Sequence, residues 1–187
     1  QPRAQVGFFF VTKKSGRLRL IVDARRVNRL FRKPPSTLLG SMESWTQVRV
    51  DSSEEFFVAQ EDVKDFFYRL EIDDALGRLF SGPAVDRGLL LQAGEAAASK
   101  SPSLRPVVEE LKRTLDDVSE SAPLHPHMCV LPMGFAWAFH LAHEAHKVVA
   151  QRSIPHAARV EDCAPGPVLS GGQTAVLLYA DNGNHVG

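Results

Sequence analysis

Apolar residues fall into short blocks whose spacing changes along the chain. Phe8, Phe9, Phe10 and Val11 form one block, and Leu18, Leu20 and Val22 alternate with Arg17, Arg19 and Asp23. Such patterns predict two strands. Lys13-Lys14-Ser15-Gly16 between them predicts a hairpin turn. A short helix or turn over residues 24–32 should end at Pro34-Pro35, because proline cannot continue a hydrogen-bonded helix. Residues 36–55 read as polar and loop-rich, with one short helix. The apolar run at 56–60 predicts a buried strand leading into Asp62-Val63-Lys64-Asp65-Phe66-Phe67-Tyr68. Residues 71–103 are mixed, and their low-complexity end, 94–103, reads as a mobile loop. Val107, Val108, Leu111, Leu115 and Val118 recur at helical spacing, so a helix is expected over 104–120, broken by Pro123 and Pro126. Pro132 should open a second helix over 133–151. The Pro/Gly-rich segment 155–172 reads as loop. Ala175 to Leu178 predicts an apolar strand, and Asp181-Asn182-Gly183 a hairpin turn. No internal repeat is seen. The order of hairpin, strand, two helices and hairpin predicts an α+β fold with helices on one face of an antiparallel sheet.

Composition narrows the class. With 187 residues, 44% hydrophobic and 24% charged, the chain can bury a core without disulfide staples and is not a wholly disordered polymer. The longest nearly apolar stretch, 130–142, is too short to span a bilayer and contains His140, so no membrane partner is expected. The opening residues are read as lacking the basic-then-apolar pattern of a secretory leader. Cys129 and Cys163 are too few for a disulfide framework, which sets the expectation of a reducing, intracellular compartment, cytoplasm or nucleus. A first residue of Gln1 rather than Met sets the expectation of a fragment.

Charge changes the picture more. The net charge is zero, yet residues 1–33 hold ten basic residues (Arg3, Lys13, Lys14, Arg17, Arg19, Arg25, Arg26, Arg29, Arg32, Lys33) against the single acid Asp23, net +9. The remaining chain carries the compensating −9. The cations sit at the tip and on one face of the first hairpin, a geometry suited to a phosphate chain, which Arg can grip in bidentate fashion. A solvated basic face is the plainer alternative.

Two acids stand at the ends of apolar strands: Asp62 after 56–61, and Asp181 after Val176-Leu177-Leu178-Tyr179-Ala180. If the strands are neighbours the carboxylates converge, and a divalent cation relieves their repulsion. Mg²⁺ takes hard oxygens from one or two carboxylates plus phosphate, and paired metal ions serve phosphoryl transfer. Taken singly, Asp62 can be a strand-end cap and Asp181 a turn former.

The segments together resemble the successive motifs of reverse transcriptases of retroelement type. Residues 13–28, Lys-Lys-Ser-Gly-Arg-Leu-Arg-Leu-Ile-Val-Asp-Ala-Arg-Arg-Val-Asn, resemble the fingers motif. Residues 62–68 resemble the first palm motif. Leu131-Pro132-Met133-Gly134-Phe135-Ala136-Trp137-Ala138 resembles the motif that follows it, and 178–187 the catalytic hairpin. All four stand in the family's order. The resemblance implies a right-hand polymerase palm with a basic β-hairpin fingers portion: fingers over 1–50 and palm over 51–187, truncated before the thumb, with the thumb and any downstream ribonuclease H domain belonging to a larger polyprotein. It implies template-directed DNA synthesis from RNA or DNA, with Mg²⁺ or Mn²⁺ as cofactor, and template-primer and deoxynucleoside triphosphates as partners. Asp62 and Asp181 match the metal-binding aspartates, with the Val63 carbonyl a further ligand. Lys13, Lys14 and Arg19 match cations that hold the incoming triphosphate. The amides of Asp65 and Phe66 match its backbone contacts, and Phe67 the aromatic that excludes a 2′-OH. Met133 and Gly134 match the lining of the nucleotide pocket, and Asp23, Arg25 and Asn28 residues near the template.

The match departs at Asn182, where most members carry a second aspartate; an amide offers an oxygen without charge. That motivates the alternative of a catalytically impaired palm remnant that binds nucleic acid. A further rival is a zinc-stabilised domain built on His125, His127, Cys129, His140, His143 and His146. Trp45 and Trp137 read as packing residues.

Overall fold

The computed structural model describes residues 4–14, 16–51, 53 and 55–187. Arg3 of the basic set and Ser15 of the first predicted turn lie outside the described residues. In chain order the elements are β1 (Gly7–Thr12), β2 (Leu18–Asp23), α1 (Arg25–Asn28), α2 (Met42–Thr46), β3 (Arg49–Val50), β4 (Val58–Asp62), α3 (Asp74–Gly77), α4 (Arg87–Lys100), α5 (Arg105–Leu115), α6 (Ala138–Ser153), β5 (Ala158–Arg159), β6 (Val168–Leu169), β7 (Ala175–Tyr179) and β8 (Asn182–Val186). Short 3₁₀ turns lie at Phe66–Arg69, Arg78–Phe80 and Pro102–Leu104. The fold is therefore mixed α+β, as the element order predicts. No helix among the described residues is long and apolar enough to cross a membrane.

The chain packs as two compact units, each crossed twice: Gln1–Val27 with Asp73–Cys129, and Asn28–Ile72 with Val130–Gly187. In the first unit, β1 and β2 pair antiparallel from Gly7↔Asp23 to Thr12↔Leu18. Their connection closes where the Lys13 amide donates to the Arg17 carbonyl at 2.7 Å and the Gly16 amide to the Lys13 carbonyl at 2.9 Å. In the same unit α4 replaces the loop expected over 94–103. Asp86 caps it by accepting from the Leu89 amide at 3.0 Å, and the Ala96-Ala97-Ala98 run has the highest helix propensity of any residue type. The low-complexity composition that reads as loop is thus good helix composition.

The second unit is built on a four-stranded sheet in the order β4-β8-β7-β5. β4 and β7 run antiparallel to β8, but β5 pairs parallel with β7. The sheet is mixed, so the expected wholly antiparallel arrangement needs correcting. So does the placement of helices on one face. On one side of β7, Val176 and Leu178 pack with Ala150 of α6. On the other, Ala175 and Leu177 join Val160, Leu169 and Val186 beneath Trp45, Val48 and Val50, from α2 and the β3 region. Central β7 is buried on both faces, which explains its unbroken apolar run. The helix α2 that closes this second layer has Ser41 as its cap, in a reciprocal box with Ser44. Asp162 accepts from the hydroxyls of both serines, and those bonds hold its carboxyl below the usual carboxylate range.

β4 overturns a further expectation. The apolar run at 56–60 does not form a buried strand: β4 begins at Val58, all its residues are exposed, and Phe57 is 75% exposed. It lies at the sheet edge, with β8 as its neighbour, so one strand alone covers it.

The inner face of α6 buries His143, whose Nε2 lies 3.1 Å from the Leu38 carbonyl. A carbonyl only accepts, so Nε2 carries the proton. Nδ1 is buried with no partner among the described residues, and burial lowers the pKa from its ordinary 6.5. With the folded value below the unfolded one, the unfolded chain binds the proton more readily. The stabilisation from neutral His143 is therefore complete above about 6.5 and is lost as pH falls from there through the lowered folded value. Thermal melts at pH 7.5 and pH 5 should show a fall in Tm that His143→Gln, which cannot titrate, makes shallower; equal slopes in both proteins would contradict this.

Candidate active site at the end of the four-stranded sheet

The last residue of β4 is Asp62, and in the ladder it stands opposite Asn182, the first residue of β8. Directly opposed residues project from the same face of a sheet. Tyr179 also pairs with Asn182, so the β7–β8 connection is the two-residue turn Ala180-Asp181. The turn expected at Asp181-Asn182-Gly183 is thereby displaced toward the N-terminus: Asn182 and Gly183 are strand residues. Gly183 is in the ladder opposite Glu61, where a β-carbon would come within 2.5 Å of the Glu61 carboxylate. The missing side chain makes room for an acid; it does not make a turn. Ala180 takes the left-handed conformation instead, with φ +50°.

Just past the ladder, the Val63 amide donates to the Asp181 carbonyl at 2.9 Å. The structure thus brings the backbones of Asp62, Val63, Asp181 and Asn182 to one sheet end, although 119 positions separate Asp62 from Asp181. Asn182 Nδ2 donates to Asp181 Oδ1 at 3.2 Å. Among the described residues no three His, Cys, Asp or Glu side chains stand grouped as a metal set. The side chains of Asp62 and Asp181 and the backbone carbonyls beside them are hard-oxygen donors by type, the chemistry that Mg²⁺ takes together with water and phosphate.

Beyond β4 the chain folds back tightly. Asp65 adopts φ +55° and its carbonyl accepts from the Tyr68 amide at 2.9 Å. Arg69 Nε closes the loop by donating to the Lys64 carbonyl at 2.8 Å. Phe66 points inward and is buried, while Phe67 is half-buried and meets it edge-on, ring centroids 6.4 Å apart.

The helix expected over 133–151 begins only at Ala138, and residues 131–137 form a turn ahead of it. Gly134 has φ +116°, a conformation closed to most side chains. Asn28 brackets this turn: its Nδ2 donates to the Gly134 carbonyl at 3.0 Å and its Oδ1 accepts from the Ala136 amide at 2.8 Å. Phe31 meets Phe135 edge-on at 4.9 Å, and Trp137 Nε1 donates to the Arg32 carbonyl at 2.7 Å. Met133 and Gly134 are therefore held by residues 28–32. The amide of Asn28 is engaged on backbone.

In the other unit, Val11, Thr12, Lys13, Lys14 and Arg19 line an open depression of about 440 Å³ at the hairpin tip. The three cations assigned to the triphosphate thus share one concavity. Asp23 and Arg25 meet each other: Arg25 Nε and Nη2 donate to the two carboxylate oxygens at 2.8 and 2.7 Å. The guanidinium lowers the Asp23 pKa to about 2.

The histidines considered for zinc turn to different partners: His140 Nδ1 to the Thr37 hydroxyl at 3.2 Å, His143 to Leu38, and His146 Nδ1 to the Ala180 carbonyl at 2.7 Å. His127 faces Asp74 in the other unit. Sequence reasoning missed the group beside Asp62, in which Glu61 Oε1 lies 3.2 Å from His185 Nε2 and 3.6 Å from His146 Nε2. The only signal for it was the placement of His146 on the buried stripe of α6 with Ala138, Ala142 and Ala150.

No family model matches the chain, and no curated protein matches it. Among solved structures, the foamy viral protease-reverse transcriptase in complex with double-stranded DNA is similar over 96% of this chain, with 13% identity and a TM-score of 0.50. The native prototype foamy virus protease-reverse transcriptase is similar over 98%, with 15% identity and a TM-score of 0.48. This chain spans 21% and 17% of those chains. At such identity the first likeness concerns fold: an α+β arrangement similar to a region of a retroviral reverse transcriptase.

Proposed function

We propose that this chain is the fingers (1–50) and palm (51–187) portion of a larger reverse-transcriptase-type polymerase that copies RNA or DNA into DNA. The observation that carries the reading is the ladder position of Asp62 opposite Asn182, next to Asp181, at the open end of a sheet. Asp62 and Asp181, with the Val63 carbonyl, supply the oxygens that would hold Mg²⁺ or Mn²⁺. Such ions, when bound, make the primer 3′-OH a better nucleophile and offset charge on the triphosphate. The protein's own part is positioning. Lys13, Lys14 and Arg19 draw in the triphosphate as cations around one depression. The amides of Asp65 and Phe66 add donors to it. The Phe67 ring, backed by Phe66, stands against the sugar and excludes a 2′-OH, selecting deoxynucleotides. Met133 and Gly134 line the base side on a turn fixed by Asn28. Arg25, oriented by Asp23, faces the template with the surrounding cations. The similar foamy viral structure contains double-stranded DNA, which supports a template-primer duplex as partner.

Primer extension on an RNA template, with the parent polymerase carrying this segment, tests the reading. Deoxynucleotide incorporation in Mg²⁺ or Mn²⁺ is expected. Intact RNA binding with no incorporation in either metal would overturn it in favour of an impaired, nucleic-acid-binding palm. Asn182 favours that second reading, since it brings an amide donor to Asp181 in place of a carboxylate. Asn182→Asp adds a charge at the metal end and should lower the Mg²⁺ concentration needed for half-maximal extension by roughly tenfold, equivalent to ~1.4 kcal/mol. An unchanged requirement would mean that charge at 182 does not limit the site.

A further inference from the structure

A buried histidine that the polymerase reading leaves unused lies beneath the β7–β8 turn. His146, on the inner face of α6, is 4% exposed. Its Nδ1 lies 2.7 Å from the Ala180 carbonyl. A carbonyl can only accept, so Nδ1 carries the proton and donates it. Ala180 immediately precedes Asp181 and holds φ +50°, a conformation that a residue with a β-carbon adopts only when its surroundings fix it. The ring also packs on Phe66, centroids 5.5 Å apart and planes tilted by 58°. Its Nε2 faces Glu61 Oε1 at 3.6 Å, and Glu61 precedes Asp62. One imidazole thus touches the three segments that carry Asp62, Phe67 and Asp181.

We propose that His146 is a positioning residue for the metal-binding turn: its Nδ1–H holds the Ala180 carbonyl and so fixes where Asp181 stands relative to Asp62. The inference rests on the polymerase reading for the purpose of the turn, though not for the hydrogen bond itself. Residues that orient metal ligands commonly act in this way, by a hydrogen bond one step behind the ligand.

Three variants of the chain separate a donor at this position from simple packing. His146→Asn places an amide nitrogen where Nδ1 stands. His146→Gln carries its amide farther out, on the Nε2 side, and His146→Leu fills the space without a donor. Hydrogen exchange of the Val63 amide, which donates to the Asp181 carbonyl, reads the order of the turn with no metal present. Exchange is expected to be about tenfold faster in His146→Leu and His146→Gln and within about twofold of native in His146→Asn. Mn²⁺ affinity, titrated by electron paramagnetic resonance, should follow the same ranking, with roughly tenfold weakening in the first two. Equal exchange in His146→Asn and His146→Gln would overturn the inference, and this pair decides even if His146→Leu does not fold. If exchange ranks the variants as expected but the native chain binds no Mn²⁺, the positioning of the turn stands and the metal-centre reading falls.

Discussion

Asp62→Ala should reduce nucleotide incorporation by about a thousandfold while leaving RNA binding within about twofold of native. The size follows from the role. A charged ligand to a catalytic cation supplies several kcal/mol of transition-state stabilisation. At 1.36 kcal/mol per decade of rate, a loss of about 4 kcal/mol is about a thousandfold. The selectivity follows from location. Affinity for a nucleic acid comes mainly from cations on phosphates, and the basic excess lies in residues 1–33. Asp62 is exposed at the end of an edge strand, so truncation leaves no cavity and should change stability by no more than about 0.5 kcal/mol. Incorporation and RNA binding are measured on the same preparation. Equal loss of both would show that Asp62 supports the fold or the nucleic-acid surface and not the chemistry.

Sequence order made the ends of the strands legible, and with them the positions of both acids. Asp62 closes β4 and Asp181 follows β7, because an apolar run that stops at an acid marks where a strand ends, whether it is buried as β7 is or exposed as β4 is. The exact turn was not legible. Asp-Asn-Gly is a strong local turn signal, yet the register against β4 places Asn182 and Gly183 in the ladder and forces Ala180 into the turn. Local propensity yielded to pairing with a strand more than a hundred positions away. The Glu61, His146 and His185 group was hidden for a similar reason: helix periodicity tells that His146 faces inward, but not what it meets there.

Elsewhere the failures have separate causes. The first hairpin and α5 rest on local signals, alternation and a 3.6-residue period, and both form about where the pattern places them. α4 was misread because Ala-rich sequence lacks the apolar stripe that periodicity detects, although its propensity is high. β5 and β6 have two residues each within a Pro/Gly-rich segment. They exist because β7 and β3 offer parallel partners, and no two-residue window can announce that. Burial of β4 was overestimated because an apolar run says that a strand is favoured, not that both its faces will be covered.

Leu177→Ala should cost about 3–5 kcal/mol, the upper part of the range for truncating a buried leucine. Leu177 is 6% exposed at the centre of the cluster with Val160, Leu169, Ala175 and Val186. What sets the size within the range is whether neighbours can collapse into the space. Gly40 presses its backbone onto this side chain so closely that a β-carbon on it would lie 2.2 Å from Leu177 Cγ and 2.8 Å from the Val160 carbonyl. A glycine has no side chain to swing into a cavity, and Trp45 and Val50, which pack against the same cluster, are held by α2 and the β3–β6 pair. The void should therefore persist. Val58→Ala, on the exposed edge strand, removes apolar atoms that are already in water and should change stability by no more than about 0.5 kcal/mol. Urea unfolding of the two variants measures the difference. A cost below about 1 kcal/mol for Leu177→Ala would mean that the layer under α2 does not hold β7. In that case the strand that delivers Asp181 would depend instead on α6, through Ala150, Val176 and Leu178.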